Sequence, residues 1–501
     1  MTFSQSAAQD APMRVAALGG DPGPAALAGA NAVRELVSIA LDALVEGVRA
    51  RGGPVPAGGP AAVGEAVARL DPWASAGVGA ETAITELSTV LAAGSADPVD
   101  PWCAAHLHCP PLAVAAAADL VASVLNPSMD SWDQAPAATA IEQGLTEGLA
   151  RLCYPNAERP DALVTTGGTE SNLSGLLLAR QAAAARGPVV PVCGRNSHHS
   201  VARAAWILGL PAPIPVDCVG DRMNPAALAE VLSGLAAPAV VVATAGTTNS
   251  GAIDPLEEIA DLARAVGAWL HVDAAYGGAL LLSDRRPSPL TGLDRADSIA
   301  LDLHKLGWQP IAAGVLACRD ADLLRVLDVR ADYLNADDDT EAGLPDLLGR
   351  SLRTSRRPDA FKIAVTVRAL GRAGLGELVD RCRDTAARVA SAVTAHPDLR
   401  LWAEPTLSTV LLRPLAADEL EAELGPDAGD ALVAAVRRGL LDDGAAVLGR
   451  ATLAPFSEEG WDGRDRLWLK LTLLHPHAQE SDYLPLLDLI ALRARQELAA
   501  R

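Results

Sequence analysis

The sequence predicts an α/β protein built around a mostly parallel sheet. Five short runs rich in Val, Ala, Ile and Leu recur between residues 161 and 303, and helical patterns separate them. Strands that alternate with helices of this length are typical of βαβ units, whose strands are parallel. The chain has 501 residues and is half apolar, so it can bury a large core and divide into two or three domains.

The predicted elements divide the chain into three parts. Residues 1–95 carry helical patterns around a Gly- and Pro-rich stretch, "RGGPVPAGGPAAVGE", and form a helical segment. Residues 386–501, in which runs such as "RLWLKLTLLHP" alternate with helices, form a small α+β domain. Residues 96–385 form the large domain, with strands at 161–166, 188–193, 239–246, 268–272 and 298–303. Ligands bind at the carboxyl ends of such strands, which makes the residues after each strand the candidates for function.

Composition and charge exclude several classes of protein. The net charge of −21 would repel the phosphates of nucleic acid. Seven scattered cysteines without a CxxC pair indicate reduced thiols. Because the chain also lacks a signal peptide and an apolar run of about 18 residues, it is expected to be cytoplasmic and to have no membrane span. His106, His108 and Cys109 lack a second ligand cluster, so no metal site is expected.

A glycine-rich turn follows the first strand of the large domain. In "TTGGTESN" (165–172) two glycines let the backbone approach a ligand, and Thr169 and Ser171 add hydroxyls. The helix that follows offers free N–H groups to a phosphate. An N-capped turn without a ligand explains the same letters, so this motif alone leaves both interpretations open.

Other strand ends carry an acid, an imidazole and hydroxyls. Asp273, in "HVDAAYGG", ends an apolar strand, where a carboxylate either has a cationic partner or caps a helix. His198 or His199, in "RNSHHS", is suited to stack on an aromatic ligand or to make a simple polar contact. Thr244 follows a further strand and places a hydroxyl at the same edge of the sheet.

A lysine follows the last of these strands, in "LDLHKLGWQP" (301–310). Only 3 of the 41 basic residues are lysines, so an arginine-rich chain keeps an amine at Lys305. A desolvated lysine forms a Schiff base with an aldehyde, whereas arginine stays protonated and cannot. Pyridoxal 5′-phosphate requires a phosphate cradle, a stacking ring, a carboxylate at its ring nitrogen and this amine, and the strand-end loops together supply that set.

These ordered motifs, from about residue 95 to residue 480, resemble those of the group II pyridoxal-phosphate-dependent amino-acid decarboxylases. The resemblance implies a large domain of the aspartate-aminotransferase-like fold type I, and a homodimer in which the N-terminal segments embrace the partner. It also implies that Tyr333, in "ADYLNADDD", lies on a catalytic loop that reaches the partner's site and supplies a proton to Cα. The implied cofactor contacts are Lys305 at the aldehyde with His304 before it, Asp273 at the ring nitrogen, Ala275 beneath the ring, His198 stacked on it, Gly168 and Thr169 at the phosphate, and Thr244 near the phenolic oxygen.

The letters around the lysine indicate a branch of the family. The aromatic branch has Asn three residues before the lysine, whereas this chain has Asp302, which is expected to be turned away, protonated or bonded to a donor. The pattern D-x-H-K followed by "QP" is similar to the diaminobutyrate decarboxylases and the siderophore-pathway lysine decarboxylases. The resemblance therefore implies decarboxylation of a diamino acid, with L-2,4-diaminobutyrate first. Asp130 or Asp133 would face its distal ammonium, unless each bonds only locally.

Several alternatives stay open on these residues. The substrate is lysine or ornithine, or it is an aromatic amino acid whose ring meets Trp132 and Trp308. The same cofactor also supports an aldehyde synthase, an aminotransferase or a lyase on this fold. A homologue without activity is a further alternative, although it would not be expected to keep Lys305, Asp273 and His198 together.

Overall fold

A computed structural model describes residues 27, 29–328, 341–454, 456 and 464–501. The helices are α1 (Ala30–Arg51), α2 (Gly59–Ala68), α3 (Ala80–Ala93), α4 (Ala113–Leu125), α5 (Pro136–Cys153), α6 (Gly168–Ala182), α7 (Ser200–Ile207), α8 (Pro225–Ser233), α9 (Leu256–Ala265), α10 (Ala360–Ala395), α11 (Leu415–Leu424), α12 (Pro426–Asp442) and α13 (Glu480–Ala499). The strands are β1 (Cys103–Ala104), β2 (Asp161–Thr165), β3 (Val190–Gly194), β4 (Ile214–Val216), β5 (Cys218–Val219), β6 (Arg222–Met223), β7 (Ala239–Thr244), β8 (Trp269–Asp273), β9 (Ser298–Asp302), β10 (Gly314–Cys318), β11 (Leu399–Leu401), β12 (Thr409–Pro414), β13 (Val447–Leu453) and β14 (Arg466–Thr472).

A seven-stranded sheet forms the centre of the molecule, in the order β2-β10-β9-β8-β7-β3-β4. Strand β10 runs antiparallel to both of its neighbours, and the pairs from β9 to β4 are parallel. This sheet and its helices confirm the predicted α/β class, and the five predicted strands are β2, β3, β7, β8 and β9. Strands β4 and β10 of this sheet were not predicted from the sequence.

Helices cover the central sheet, and the burial of its strands follows from that cover. Every residue of β7, "AVVVAT", is buried, as expected for a strand packed on both faces. In α9 the buried residues Leu256, Ile259, Ala260 and Ala263 recur at helical spacing, so one face of this helix packs on the core. The apolar composition of the strand runs is therefore explained by a sheet with no solvated face at its centre.

A second, five-stranded sheet has the order β1-β13-β14-β12-β11 and is antiparallel except for the β1–β13 pair. It includes Cys103–Ala104 from the range expected for the large domain, and α10 runs across residue 385. The divisions at residues 95 and 385 stay predictions. Among the residues described, no helix is long and apolar enough to cross a membrane.

Candidate active site

A cavity of about 300 Å³ lies where β7, β8 and β9 end and α6 begins. It is lined by all eight residues that the sequence analysis placed at the cofactor: Gly168, Thr169, His198, Thr244, Asp273, Ala275, His304 and Lys305. They meet because parallel strands end at the same edge of a sheet. Tyr333, the ninth predicted residue, lies outside the described residues.

The glycine-rich turn forms the first turn of α6, and side chains crowd it. A Cβ on Gly167 would lie 2.8 Å from Cε1 of His304, and a Cβ on Gly168 would lie 2.9 Å from Cβ of Ala275. Real Cβ atoms do not approach so closely, so glycine at both positions lets the turn pack against the residues that follow β8 and β9. The predicted helix therefore begins at Gly168, three residues before the "SNLSGLLL" pattern.

Asp302, the last residue of β9, is bonded to a donor, which was one of the three expectations for it. Its Oδ2 accepts a hydrogen bond from the backbone N–H of Gly168 at 3.1 Å and lies 3.8 Å from Nζ of Lys305. Its Oδ1 lies 2.8 Å from Nδ1 of His304, although these two atoms lack hydrogen-bond alignment. A single carboxylate thus joins the glycine turn to the lysine and to the histidine before it.

Asp273 ends β8 with both carboxylate oxygens engaged. Oδ1 accepts from the backbone N–H of Ala275 at 3.1 Å, and Oδ2 accepts from Nδ2 of Asn172 at 2.7 Å. His198 also lines the cavity, and its Nδ1 is 2.8 Å from Oγ of Ser200. Burial lowers the pKa of His198 below its ordinary value, in spite of the opposing charge of Asp273, so its ring is neutral near pH 7.

The hydroxyl of Thr244 is buried in a residue that lines the cavity. Within the part of the chain that the structure describes, Oγ1 has no hydrogen-bond partner. The backbone N–H of Thr244 is satisfied by Oδ2 of Asp254 at 2.7 Å, so the residue is held in place while its hydroxyl borders the cavity. Buried hydroxyls are nearly always bonded, so this one indicates a missing polar ligand.

Asn172 also lines the cavity but was not among the predicted site residues. Asn172 lies four residues after Gly168, so it shares that residue's helix face, and this spacing is the signal that was overlooked. The second sheet also reaches the cavity in ways that no local pattern predicts. Nζ of the buried Lys470 donates to the carbonyl of Thr248 at 2.8 Å, and the hydroxyl of Tyr276 lies 2.9 Å from that of Ser408.

The residues considered for substrate recognition lie outside the lining of this cavity. Asp130 accepts from Nε2 of Gln134 at 3.0 Å, and Asp133 accepts from Oγ of Ser131 at 2.5 Å, which favours the local roles. Trp308 is fully buried, and its indole N–H donates to the carbonyl of Leu474 at 2.8 Å, so its ring belongs to the core.

The residues around the cavity fit pyridoxal phosphate. They offer an amine, an acceptor for a ring N–H, an imidazole face, a hydroxyl that no described residue bonds and a turn too tight for side chains. The pyridoxal-dependent decarboxylase conserved domain matches residues 80–414, two thirds of the chain. The chain therefore belongs to the pyridoxal-dependent decarboxylases and is a pyridoxal-phosphate-dependent amino-acid decarboxylase.

Two of the known proteins similar to this chain are L-2,4-diaminobutyrate decarboxylases. An L-2,4-diaminobutyrate decarboxylase from Rhizobium meliloti (strain 1021) is 41% identical over 439 residues, covering 85% of this chain and 84% of the relative. One from Acinetobacter baumannii is 36% identical and covers 62% of this chain and 67% of the relative.

Solved structures agree with the fold. The glutamate decarboxylase domain of a Vibrio parahaemolyticus diaminobutyrate-pyruvate transaminase and L-2,4-diaminobutyrate decarboxylase has a TM-score of 0.79 at 32% identity, covering 93% of this chain and 96% of that one. The Oryza sativa protein TDC, solved with pyridoxal phosphate and tryptamine, has a TM-score of 0.82 at 22% identity over 94% of this chain and 99% of that one. At that identity the second similarity is one of fold.

Proposed function

We propose that this chain decarboxylates L-2,4-diaminobutyrate to the corresponding diamine and CO₂. The reaction type rests on the convergence of Lys305, Asp273 and His198 on one cavity. The substrate rests on the relatives of that name, of which the first is 41% identical over most of both chains. The sequence D-x-H-K-x₃-QP at residues 302–310 supports the same substrate class.

In this proposal each residue of the cavity has a distinct task. Lys305 would hold the cofactor by its aldehyde and would take that place again as the product leaves. Asp273 would accept the ring N–H, His198 would stack on the ring, and the Thr244 hydroxyl would donate to the phenolic oxygen. When bound, pyridoxal phosphate accepts the electrons that remain at Cα as CO₂ leaves. The remaining residues would act by position: Gly168 and Thr169 would hold the phosphate, Ala275 would support the ring from beneath, and His304 precedes the lysine.

Tyr333 is proposed as the group that delivers a proton to Cα after CO₂ has left. A phenol is a suitable donor for general acid catalysis, and a prompt proton separates amine formation from oxidative side reactions. Tyr333→Phe is expected to bind the cofactor normally and to lose clean amine production. Unchanged turnover with an unchanged product would contradict this role.

The quaternary state is proposed to be a cytoplasmic homodimer. The N-terminal helices α1 and α3 leave large apolar side chains exposed, namely Leu41, Leu44, Val45, Leu87 and Leu91. A cleft of about 1300 Å³ with many leucines lies between α5, residues 277–282 and α10. A second copy would cover such apolar surfaces. All seven cysteines are free, which suits a reducing compartment.

The substrate is tested by measuring turnover of diaminobutyrate, lysine, ornithine, tyrosine and glutamate by the reconstituted protein. Diaminobutyrate is expected to have the highest kcat/KM. A higher value for tyrosine or glutamate would overturn the substrate assignment, and a Lys305→Ala protein that keeps the yellow colour of the bound cofactor would overturn the role of the lysine.

Sharing of sites between subunits is tested by mixing two inactive proteins. If Tyr333 serves the partner's site, a mixture of Lys305→Ala and Tyr333→Phe contains hybrid dimers with one intact site. Free exchange of subunits then restores up to about a quarter of the activity. A mixture that stays inactive although subunits exchange, as shown by native mass spectrometry, would contradict the shared site.

A further inference from the structure

A series of buried hydrogen bonds leads away from the cavity at Asp273. The Asp273 carboxylate determines which atom in each of these bonds is the donor and which is the acceptor. The carboxylate of Asp273 only accepts, so the atom of Asn172 that lies 2.7 Å from Oδ2 is the amide nitrogen. The carbonyl Oδ1 of Asn172 must then point the other way, and it lies 2.9 Å from Nε2 of His271. Asn172 and His271 are both almost fully buried, so these bonds are not shared with solvent.

This orientation fixes the tautomer of His271. Burial lowers the pKa of His271 to about 4, so the ring is neutral near pH 7 and carries one N–H. Because Oδ1 of Asn172 accepts, that N–H is on Nε2. Nδ1 therefore accepts from Oγ of Ser298 at 2.8 Å, and that oxygen in turn accepts from the indole N–H of Trp269 at 3.1 Å.

The second N–H of Asn172 leads to the stacking histidine. Nδ2 lies 2.8 Å from Oγ of Ser200, which lies 2.8 Å from Nδ1 of His198. The backbone N–H of Ser200 also donates to that Nδ1, at 3.3 Å. Nδ1 of His198 is therefore an acceptor, and its proton is on Nε2. A single amide group thus connects the residue proposed for the ring nitrogen with the residue proposed for the ring face.

The packing around this amide is built to admit the His271 ring. Gly175 lies one helical turn after Asn172 in the middle of α6, where glycine lowers helix stability. A Cβ there would lie 2.5 Å from Cε1 and from Nδ1 of His271. Only glycine leaves room for the His271 ring at this position, and this explains why a residue of low helix propensity lies in the middle of α6.

We infer that Asn172 is a positioning residue that holds the Asp273 carboxylate and the His198 ring in register, and that the Nε2–H tautomer of His271 locks its amide in that orientation. The inference rests on the proposed function, because it takes Asp273 to face the ring nitrogen and His198 to stack on the ring. It adds Asn172, Ser200 and His271 to the residues on which cofactor binding and ring protonation depend.

The test uses the full-length protein and two readouts other than activity. The first is the ¹⁵N NMR spectrum of the apoprotein with labelled histidine, which reports the tautomers of His271 and His198. The second is the ¹⁵N signal of ring-labelled pyridoxal phosphate in the reconstituted protein, together with the dissociation constant of the cofactor. Thr385→Val is the control, because it removes a buried hydroxyl that bonds the carbonyl of Ala478.

Asn172→Leu is expected to mix the tautomers of His271, to shift the ring-nitrogen signal toward the unprotonated form, and to raise the cofactor's dissociation constant about tenfold, the effect of one hydrogen bond to a charged group. Ser200→Ala removes only the hydrogen bonds that connect Asn172 to His198 and keeps the bond from Asn172 to Asp273. It should therefore weaken cofactor binding while the ring-nitrogen signal stays as in the wild type. Should Asn172→Leu not fold, the ring-nitrogen signal and the dissociation constant are measured instead for His271→Leu, which is expected to change both in the same way. His271→Gln keeps a donor toward Asn172 and should restore both of these values to those of the wild type. The control should leave them unchanged.

Two failures are distinguishable. If Asp273→Asn shifts the ring-nitrogen signal but Asn172→Leu and His271→Leu leave both that signal and the cofactor's dissociation constant as in the wild type, the inference about Asn172 is wrong and the proposed function stands. If Asp273→Asn itself leaves the ring-nitrogen signal unchanged, the proposed placement of the cofactor is wrong, and the inference about Asn172 falls with it.

Discussion

The hydroxyl of Thr244 contributes nothing to the stability of the fold and is explained by ligand binding. Burying a hydroxyl without a partner costs about 1–3 kcal/mol, and the described residues give Oγ1 of Thr244 no partner. This cost arises at the edge of the cavity, in a residue whose backbone N–H is fixed by a hydrogen bond to Asp254. The hydroxyl therefore destabilises the apoprotein and is satisfied only when a polar ligand is bound.

Thr244→Val should consequently have opposite effects on stability and on binding. Valine keeps the shape and removes the hydroxyl, so the apoprotein should be as stable as the wild type or up to about 1 kcal/mol more stable. The dissociation constant of pyridoxal phosphate should rise about fivefold to tenfold, because one hydrogen bond is lost. Urea unfolding of the apoprotein and absorbance titration with the cofactor measure the two effects.

Thr146→Val is the matched control. Its hydroxyl is also buried, but it donates to the carbonyl of Glu142 at 2.9 Å and lies away from the cavity. This variant should lose about 1 kcal/mol of stability and bind the cofactor as the wild type does. A Thr244→Val apoprotein that loses as much stability as this control would show that the hydroxyl has a protein partner after all.

The small number of lysines predicted Lys305 as a site residue, but scarcity alone does not distinguish it from the other two lysines. The scarcity of lysine directed attention to Lys305, which does line the cavity. The other two lysines, however, are the buried ones, whereas the side chain of Lys305 is 21% exposed. Nζ of Lys362 is 3.0 Å from Asp119, and Nζ of Lys470 donates to the carbonyl of Thr248. The scarcity of lysine therefore does not by itself indicate a reactive amine in this chain, and the neighbouring motifs are what distinguish Lys305 as the residue proposed for Schiff-base chemistry.

At the scale of elements, the turn between β2 and α6 depends on how closely β8 and β9 approach it. Gly168→Ala would place Cβ 2.9 Å from Cβ of Ala275 and 3.6 Å from Oδ2 of Asp302. The loop after β8 and the helix start must then separate. We expect a stability loss of about 1–3 kcal/mol and a cofactor affinity at least about tenfold lower, measured by urea unfolding and by absorbance titration.

Gly64→Ala provides the comparison for this change. Gly64 lies in α2 with open space around its Cβ position, so alanine should stabilise the protein by about 0.5–1 kcal/mol and leave cofactor binding unaltered. Wild-type affinity in Gly168→Ala would mean that the turn adjusts without affecting the cavity, and its proposed role at the phosphate would lose its support.

A buried ion pair joins α5 to the chain just before α10. The guanidinium of Arg356 donates to both oxygens of Glu142 at 2.8 and 2.5 Å, and both side chains are nearly inaccessible. Arg356→Met leaves the Glu142 carboxylate buried without its partner, so the free energy of unfolding should fall by about 3–5 kcal/mol. The double variant Glu142→Met, Arg356→Met should regain most of that loss in urea unfolding. If the double variant is no more stable than the single one, the loss comes from packing and not from the unpaired charge.

Elements differed in how far the sequence alone could predict them. Strands β7, β8 and β9 are apolar runs that end in polar residues, so both their positions and their functional ends were predictable. Strand β10, "GVLAC", is one short apolar run, and it runs antiparallel to both of its neighbours. The charged residues that follow it, Arg319 and Asp320, therefore lie at the opposite edge of the sheet from the cavity and gave no functional signal. The start of α6 was placed late because two glycines read as a turn, whereas here they are the first helical turn.

At the scale of the whole molecule, the strand-end residues could be placed together from the sequence, but the contribution of the second sheet could not. Five parallel strands must end at one edge, which brings Asp273 and Lys305 together. The contacts of Tyr276 with Ser408 and of Lys470 with Thr248 join residues more than a hundred positions apart. No local pattern encodes how the two sheets pack, so these contacts and the hydrogen-bonded chain behind Asp273 required the structure.

That buried chain should also give the whole molecule a characteristic dependence on pH. His271 has a folded-state pKa of about 4, because burial lowers it from the ordinary value of 6.5. Between these two values the unfolded chain binds the proton and the folded chain does not, so stability rises with pH across this window. The contribution of His271 is complete above about pH 6.5 and is lost by about 1.4 kcal/mol per pH unit as the pH falls toward 4.

His271→Gln isolates this effect, because glutamine keeps a donor toward Asn172 and does not titrate. The free energies of unfolding of the wild type and the variant, measured in urea from pH 8 to pH 4.5, should run parallel above pH 7. Below pH 6.5 the wild type should lose stability relative to the variant by about 1.4 kcal/mol per unit. Burial lowers the pKa of His106, His198 and His475 too, but these groups are common to both proteins and cancel in the difference. Parallel curves down to pH 4.5 would mean that His271 takes up its proton in the folded protein, and the single tautomer on which the Asn172 orientation depends would then not hold.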